Sequence, residues 1–418
     1  MNDLPDLIDI TETFNGYGIS ESEKEQLKET IYYYIEDIIT HNAKIFKEKD
    51  YIYQLSGWVY ISIIESYPEL DFEVDLEEYI KEVLNLYLTM NHLFRSYKTS
   101  CIVNTTDDEK IDKIFKKVKS LEQPDQRTNE WYLFRWNMLT ASSLWKALDT
   151  QSSKNSLIIS KCKPIDVKKY SSVNINSPFH NGHKYEPLSI MLYEKWYDTE
   201  VEEFGCIRHS KYNFLGASPD GINIKKNNPR YGRMVEIKNP VSRVLTGIPK
   251  KDYWIQMQIQ MEVWDLLECD FFETFFKEYE NEETFLGDGD FTRTTDGKHK
   301  GIVIQFYDGN EPVYKYCPID YSKEEYDKWY NEEMEKNMTM TWVKNIYWRL
   351  DDYSSILVPR NKLWFNSVVD DIEKLWKTIL HDREHGWDNS KPNKHKKNPT
   401  NKKNSNKLMI SYIGGKSR

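Results

Sequence analysis

The chain has 418 residues, 39% hydrophobic and 30% charged, a length that suggests two or three domains and a balance that excludes a chain disordered throughout. No apolar run approaches the roughly 18 residues of a membrane-spanning helix, and the stretch Trp58 to Ile64 is the most apolar candidate. The net charge of −10 excludes a protein coated in nucleic acid, but nine basic residues and no acidic one lie between Asn389 and Arg418, which leaves the rest of the chain at −19. An acidic body that handles a polyanion must confine its positive field to a groove or to that tail.

The first residues, Met1 to Asp6, are acidic and lack the basic-then-apolar order of a secretory signal. Five scattered cysteines (Cys101, Cys162, Cys206, Cys269, Cys317) form no C-x-x-C pair, which argues for a reducing compartment without disulfides or a zinc knuckle. The expected setting is therefore a soluble, intracellular one.

In chain order, residues from about 20 to 120 read as helical. Leu27, Ile31, Ile35 and Ile38 keep helical spacing, as do Tyr79, Val83, Leu86 and Met90; Trp58 to Ile64 reads as a buried helix and Lys110 to Lys119 as a short basic one. This is a scaffold without evident chemistry, assigned to a helical domain over 1–122. The texture changes at Gln123. Thr128 can cap a helix reaching Trp136, and Thr140-Ala141-Ser142-Ser143 can start another reaching Leu148. Thr150 to Asn176 is polar and reads as a loop or insertion.

A helix over Glu186 to Tyr197 is followed by extended runs at Phe204–Ile207, Phe214–Ser218, Ile222–Ile224 and Met234–Ile237, with turns at Pro219-Asp220-Gly221 and Lys225–Gly232. Tyr253 to Leu267 reads as a helix, Ile302–Tyr307 and Val313–Tyr316 as strands, and Lys323–Lys336 and Asn366–His381 as helices. The order predicts an α/β core with a central mixed sheet flanked by helices over 123–320. C-terminal helices over 321–388 pack on it, and a basic tail over 389–418 has the composition of a disordered segment.

Four pieces of the middle region carry chemistry: Gly182-His183-Lys184-Tyr185-Glu186-Pro187, Gly216-Ala217-Ser218-Pro219-Asp220-Gly221, Glu236-Ile237-Lys238-Asn239-Pro240 and Tyr253-Trp254-Ile255-Gln256-Met257-Gln258. In a strand, Glu236 and Lys238 share one face while Ile237 turns to the other. A hairpin starting at Asp220 brings that carboxylate beside them. Hydrolysis of a phosphodiester needs neutralised phosphoryl oxygens and an activated water, and Mg²⁺ held by hard oxygen ligands supplies both. Taken singly, each piece has an ordinary account: a solvated strand face, a turn, a helix start. Their order and spacing together are the specific signal.

That combination resembles the PD-(D/E)XK nuclease superfamily, in the branch of the lambda-type phage exonuclease and the YqaJ-type viral recombinase nucleases, over about residues 124 to 270. The resemblance implies catalytic roles for Glu186, Asp220, Glu236, Lys238 and Gln256, with Glu186, Asp220, Glu236 and the carbonyl of Ile237 as ligands of Mg²⁺ or Mn²⁺. Lys238 would orient the attacking water or take its proton, and Tyr253 would contact DNA. The series Arg127, Trp131, Arg135, Thr140-Ala141-Ser142 matches the family's opening pattern. With Ser218 and Arg243 it implies a pocket of Arg135, Ser142, Ser218 and Arg243 for a DNA 5′-phosphate. His183 has no assigned role, and whether it is a ligand stays open.

Two departures stand out. Sixteen positions separate Asp220 from Glu236, with a polar insertion at Lys225–Gly232, and the isolated cysteines cannot build the iron–sulfur cluster of some relatives, so none is expected. The implied activity is a metal-dependent DNA nuclease, in first place a 5′-to-3′ double-strand exonuclease of recombination or repair, at work in the host cytoplasm if the protein is viral. An endonuclease of a defence system and a non-catalytic DNA-binding scaffold are the alternatives. The implied partner is DNA, double-stranded with free ends, and no membrane; a homo-oligomer and a recombinase or single-strand-binding protein are left open.

Overall fold

The computed structural model describes residues 21–67, 76–101, 107–121, 123–124, 128–164 and 178–387. Arg127, the end of the polar stretch before Asn176, the acidic start and the basic tail lie outside the described residues.

Apolar spacing sets the N-terminal helices. α1 (Glu21–Asn42), α2 (Tyr51–Ser66) and α3 (Leu76–Met90) bury Ile31, Ile35 and Ile38, then Leu55, Val59 and Ile63, then Tyr79, Ile80, Val83 and Leu84. The Trp58–Ile64 stretch is helical but not wholly buried: Trp58, Ile61 and Ile64 are 36%, 51% and 37% exposed, and Met90 on α3 is 62% exposed. Only one helical stripe can face a core, and in α2 that stripe is Leu55, Val59 and Ile63. A two-residue strand β1 (Tyr97–Lys98) follows, then α4 (Asp108–Lys119), whose start is capped by Asp107 accepting from the amide of Glu109.

α5 (Asn129–Trp136) is capped by Thr128, which accepts from the amide of Trp131 at 3.2 Å. Then come β2 (Leu139–Thr140), the single turn α6 (Ala141–Leu144), and α7 (Gln151–Cys162). Helix α7 corrects the reading of residues 150–176 as a loop or insertion. Its polar face of Ser, Lys and Asn disguises an inner side of Leu157, Ile158 and Cys162, which the loop-like composition hid. α8 (Pro178–Tyr197) starts earlier than its apolar pattern, with Pro187 inside it.

Short strands β3 (Val201–Glu202), β4 (Ile207–Arg208), β5 (Leu215–Ala217), β6 (Gly221–Asn223) and β7 (Met234–Lys238) lead to α9 (Lys251–Trp264). The rest comprises β8 (Glu268–Glu278), α10 (Glu282–Leu286), β9 (Lys300–Tyr307), β10 (Pro312–Tyr316), α11 (Lys323–Lys336), β11 (Thr341–Pro359) and α12 (Lys362–His385). The two longest strands, β8 and β11, carry no sequence pattern that announces them. β8 is buried on both faces over Glu268–Thr274, so its polar Asp270, Glu273 and Thr274 break any period-two alternation.

The main sheet runs β10-β9-β11-β8-β7-β6-β3, with β1 against β11. Every pairing in it is antiparallel except β7 with β8, whose crossover is α9. A second sheet of order β2-β5-β4 sits under α9 and α6. The result is a mixed sheet flanked by helices with a helical N-terminal region, as expected. The core does not break between them: one cluster runs from Ile31 and Val83 through Leu139, Met234 and Trp254 to Trp364 and Ile379.

One buried polar knot fastens these parts. Asp270 on β8, fully buried, accepts from Arg230 (3.1 Å) and Arg233 (3.2 Å) around the β6–β7 hairpin, from Tyr193 of α8 (2.6 Å) and from Thr99 next to β1 (3.1 Å). Arg233 also pairs with Glu268 and donates to the carbonyls of Thr99 and Cys101. The polar insertion of the hairpin thus docks the N-terminal region onto the sheet. Removing a carboxylate that neutralises two buried guanidiniums typically costs about 3–5 kcal/mol. Asp270→Ala is expected to lower unfolding free energy by about that amount, measured by urea denaturation; a loss under about 1 kcal/mol would show that the knot contributes little.

Candidate active site

β7 and its two neighbours build the site. Strand periodicity puts Glu236 and Lys238 on one face, and parallel pairing sets Lys238 beside Glu273 of β8. On the other side the β6–β7 ladder pairs Gly221 with Val235. One step further, Asp220 replaces a ladder bond with its side chain: Oδ2 accepts from the amide of Ile237 at 2.7 Å. That bond is why the turn residue Asp220 faces Glu236 in spite of the sixteen positions between them.

Glu236 is fully buried, and both of its oxygens are occupied. Oε1 accepts from the Lys238 ammonium and from Gln256 Nε2 (2.6 Å), and Oε2 accepts from Gln260 Nε2 (2.7 Å). Gln256 and Gln260 are one turn apart on α9, so the crossover helix itself delivers both amides to one carboxylate. Gln260 also donates to the carbonyl of Ser218 at 3.3 Å, tying α9 to the strand that leads into Asp220. This role of Gln260 was not foreseen, although its i, i+4 relation to Gln256 was visible.

The Lys238 ammonium sits among three oxygens. It touches Glu236 Oε1, lies 3.1 Å from the carbonyl of Ile237 and 3.9 Å from Asp220 Oδ2. Burial alone would lower its pKa, but Glu236 and Asp220 beside it raise it, so this arrangement favours the ammonium form. Burial, then the Glu236 charge, push the Asp220 carboxyl well above its usual range; Lys238 opposes this, and Glu186 adds to it. Glu186 of α8 is thus felt at Asp220 as charge.

These observations test the fit of a divalent cation. Asp220, Glu236 and the Ile237 carbonyl are hard oxygen donors of the kind Mg²⁺ or Mn²⁺ takes, and they already converge on one cation, the lysine ammonium. The donor chemistry fits. The expected three-acid cage is not assembled, however: among the described residues no group of three His, Cys, Asp or Glu side chains is gathered so as to hold a metal ion. Glu236 Oε1 and Lys238 must part before an ion can take their place.

The remaining expected residues fall into two groups. Arg135 on α5 reaches Ser142 on α6, Nη2 to Oγ at 3.5 Å, and stacks on Trp131 with its guanidinium 4.5 Å from the ring centroid. Because α6 is one turn long, it offers little helix dipole, and Ser142 is left with its hydroxyl. Ser218 donates to the carbonyl of Phe204 at 3.1 Å. Arg243 makes its contacts elsewhere: it pairs with Glu273 and lies 5.7 Å from the ring centroid of Tyr253, over which Lys238 also lies at 5.3 Å. Its recorded partners are these, not Arg135 or Ser142. Glu273 itself was missed; it is fully buried, and its Oε2 has no donor. Only the β7–β8 register could have pointed to it. His183 is exposed on α8.

Gln260→Leu removes one amide and leaves Glu236 Oε2 buried without its donor, a cost of about 1–3 kcal/mol. Chemical denaturation at neutral pH is expected to show a loss in that range; an unchanged midpoint would mean that the oxygen finds another partner.

Comparisons with known proteins agree with the motifs. Residues 130–266 match the family model of the YqaJ-like viral recombinase domain. The chain is 30% identical over 311 residues to the uncharacterized protein R354 of Acanthamoeba polyphaga mimivirus, which covers 64% of this chain and 55% of that protein. The chain thus spans about half the length of this curated relative. An alkaline exonuclease from Laribacter hongkongensis superposes with a TM-score of 0.37 at 18% identity, covering 62% of this chain and 95% of that one. A phage-related exonuclease from Haemophilus somnus 129PT gives a TM-score of 0.30 at 14% identity, over 59% of this chain and 94% of that one. The similarity to the YqaJ-like viral recombinase domain thus falls on the stretch that holds Asp220, Glu236, Lys238 and Gln256.

Proposed function

We propose that this YqaJ-like domain makes the chain a metal-dependent DNA nuclease that degrades duplex DNA from a free end, 5′ to 3′, in recombination or repair of DNA. The observation that carries the reading is the convergence of Asp220, Glu236 and the Ile237 carbonyl on a single cationic position, with Lys238, Gln256 and Gln260 around it. A fold gains little stability by burying a carboxylate next to a second acid whose proton it raises. Such pairs are characteristic of sites that bind cations.

Asp220, Glu236 and the Ile237 carbonyl would hold Mg²⁺ or Mn²⁺, with Glu186 adding negative charge from α8. A bound divalent cation neutralises phosphoryl charge and activates water. Lys238, being protonated, orients that water or meets charge developing on the phosphate, and does not act as its base. Gln256 is already within hydrogen-bond distance of Glu236, so its amide can hold the carboxylate or turn to the water. Tyr253 underlies Lys238 and Arg243 and offers an aromatic face to the nucleic acid. Arg135 and Ser142 receive the terminal 5′-phosphate, Arg135 as a permanently charged fork; Ser218 borders them through its loop. Arg243, held by Glu273, serves the phosphates near Tyr253 instead. The reading requires no iron–sulfur cluster, and DNA is the partner it names.

Glu236→Gln and Lys238→Ala are each expected to reduce Mg²⁺-dependent cleavage by on the order of 10²–10³-fold or more while DNA binding persists, measured with end-labelled duplex on a gel. Full activity in either variant removes the mechanism. Covalently closed circular DNA is expected to resist cleavage, and Arg135→Ala to lower the preference for 5′-phosphorylated ends about tenfold. Rapid cutting of the circle would favour an endonuclease.

A further inference from the structure

Among the described residues, the end of α5 collects cations that form no ion pair. Three successive carbonyls take three cationic donors: Lys161 Nζ to Arg135 O at 2.7 Å, Arg383 Nη2 to Trp136 O at 2.7 Å, and Arg208 Nη1 to Asn137 O at 3.3 Å. Arg135, the fourth, leans on Trp131 and Ser142. Among the described residues, the recorded ion pairs include none of the four, and their hydrogen bonds go to uncharged groups. A helix C-terminus carries about half a negative charge, which cannot balance four cations.

Lys161, in the last turn of α7, is 9% exposed. From α5 it faces Arg135, from α12 Arg383, and from the β3–β4 connection the thiol of Cys206, which also feels Arg135 and Arg208. Asp382 of α12 acts on Cys162. Burial, and then the two guanidiniums, lower the lysine to about 7. The thiol is pushed up by burial in spite of its cationic neighbours, so it stays protonated and supplies no counter-charge. Capping α5 accounts for one hydrogen bond of Lys161. It does not account for a buried amine surrounded by like charge in a chain whose net charge is −10.

We propose that Lys161 is a positioning residue of an anion pocket for a terminal phosphomonoester: it holds Arg135 by its main-chain carbonyl and takes up a proton from solvent when the phosphate dianion binds at Arg135 and Ser142. The inference rests on the reading that Arg135 and Ser142 receive the strand end. A dianion beside the pocket supplies the charge that the cluster lacks, and favours the ammonium form of Lys161 over the neutral amine. The sign of the pH dependence follows. In the empty protein the lysine is charged below about pH 7 and neutral above it. Binding that needs it charged is therefore unimpeded below that pH and weakens as pH rises through and beyond it. The phosphate reaches its dianionic form above about pH 6.

The test uses the whole chain without divalent cation, so that binding is read without cleavage. Duplexes bearing a 5′-phosphate or a 5′-hydroxyl end are compared by fluorescence anisotropy from about pH 6 to about pH 9, and the ratio of the two Kd values is followed. In the wild type the phosphate preference is expected to fall by up to about tenfold per pH unit above neutrality. Lys161→Met should keep a smaller preference that is flat there. Lys161→Arg, permanently charged, should keep the preference and lose the decline, and it carries the test if the Met variant does not fold. A Lys161→Arg profile that declines like the wild type overturns the inference. So does a wild type without any phosphate preference, an outcome that also removes the end-binding reading, whereas a preference without pH dependence leaves that reading standing.

Discussion

Everything in the candidate site follows from one fully buried carboxylate. Glu236 cannot be hydrated where it lies, so every lone pair must find a protein donor, and the fold supplies Lys238 from the same strand and Gln256 and Gln260 from the crossover helix. The consequence is geometric. α9 can take only the rotation that points both glutamines at β7, which also buries Trp254 and Trp264 on its remaining faces, with Trp264 donating to the carbonyl of Ala217. The parallel β7–β8 pairing then fixes where Glu273 stands. Charge satisfaction at a single residue thus coordinates the helix, the two strands and the turn that presents Asp220.

The distribution of charge follows the same logic on a larger scale. Acids lie at the sheet, where half-buried Asp220 and buried Glu236 face the Lys238 ammonium, Glu273 pairs with Arg243, and Asp270 is neutralised by Arg230 and Arg233. Among the described residues, cations that form no ion pair gather about 135–142, at the end of α5. On the proposed function, a polyanion with a terminal phosphate would meet fields of opposite sign at the two places, one suited to a cation and the other to the strand end. Such a separation would let an acidic protein handle a polyanion without a broadly basic surface.

Much was legible in advance because certain constraints are local. Strand periodicity placed Glu236 and Lys238 side by side, and Pro219-Asp220-Gly221 announced the turn. The apolar stripes of α1 and α3 and the cap at Thr128 needed only nearest neighbours along the chain. What escaped was the part whose identity depends on distant partners. α7 reads as a loop because its core-facing residues are few and its polar face is long. β8 and β11 are hidden because buried polar residues such as Asp270 and Glu273 interrupt the alternation, and their partners are strands and arginines far away in sequence. The pairing of Arg243 with the buried Glu273 likewise depends on a strand thirty residues away.

Residue types and short-range spacing by themselves determined the elements and the chemistry the domain can attempt, since both rest on periodicity and on the donors each side chain carries. Only tertiary packing decided which oxygens face the Lys238 ammonium, that Glu186 acts on Asp220 as charge, and that Lys161 lies buried against Arg135. Those facts depend on burial and on through-space electrostatics between segments tens of residues apart, which no local pattern encodes.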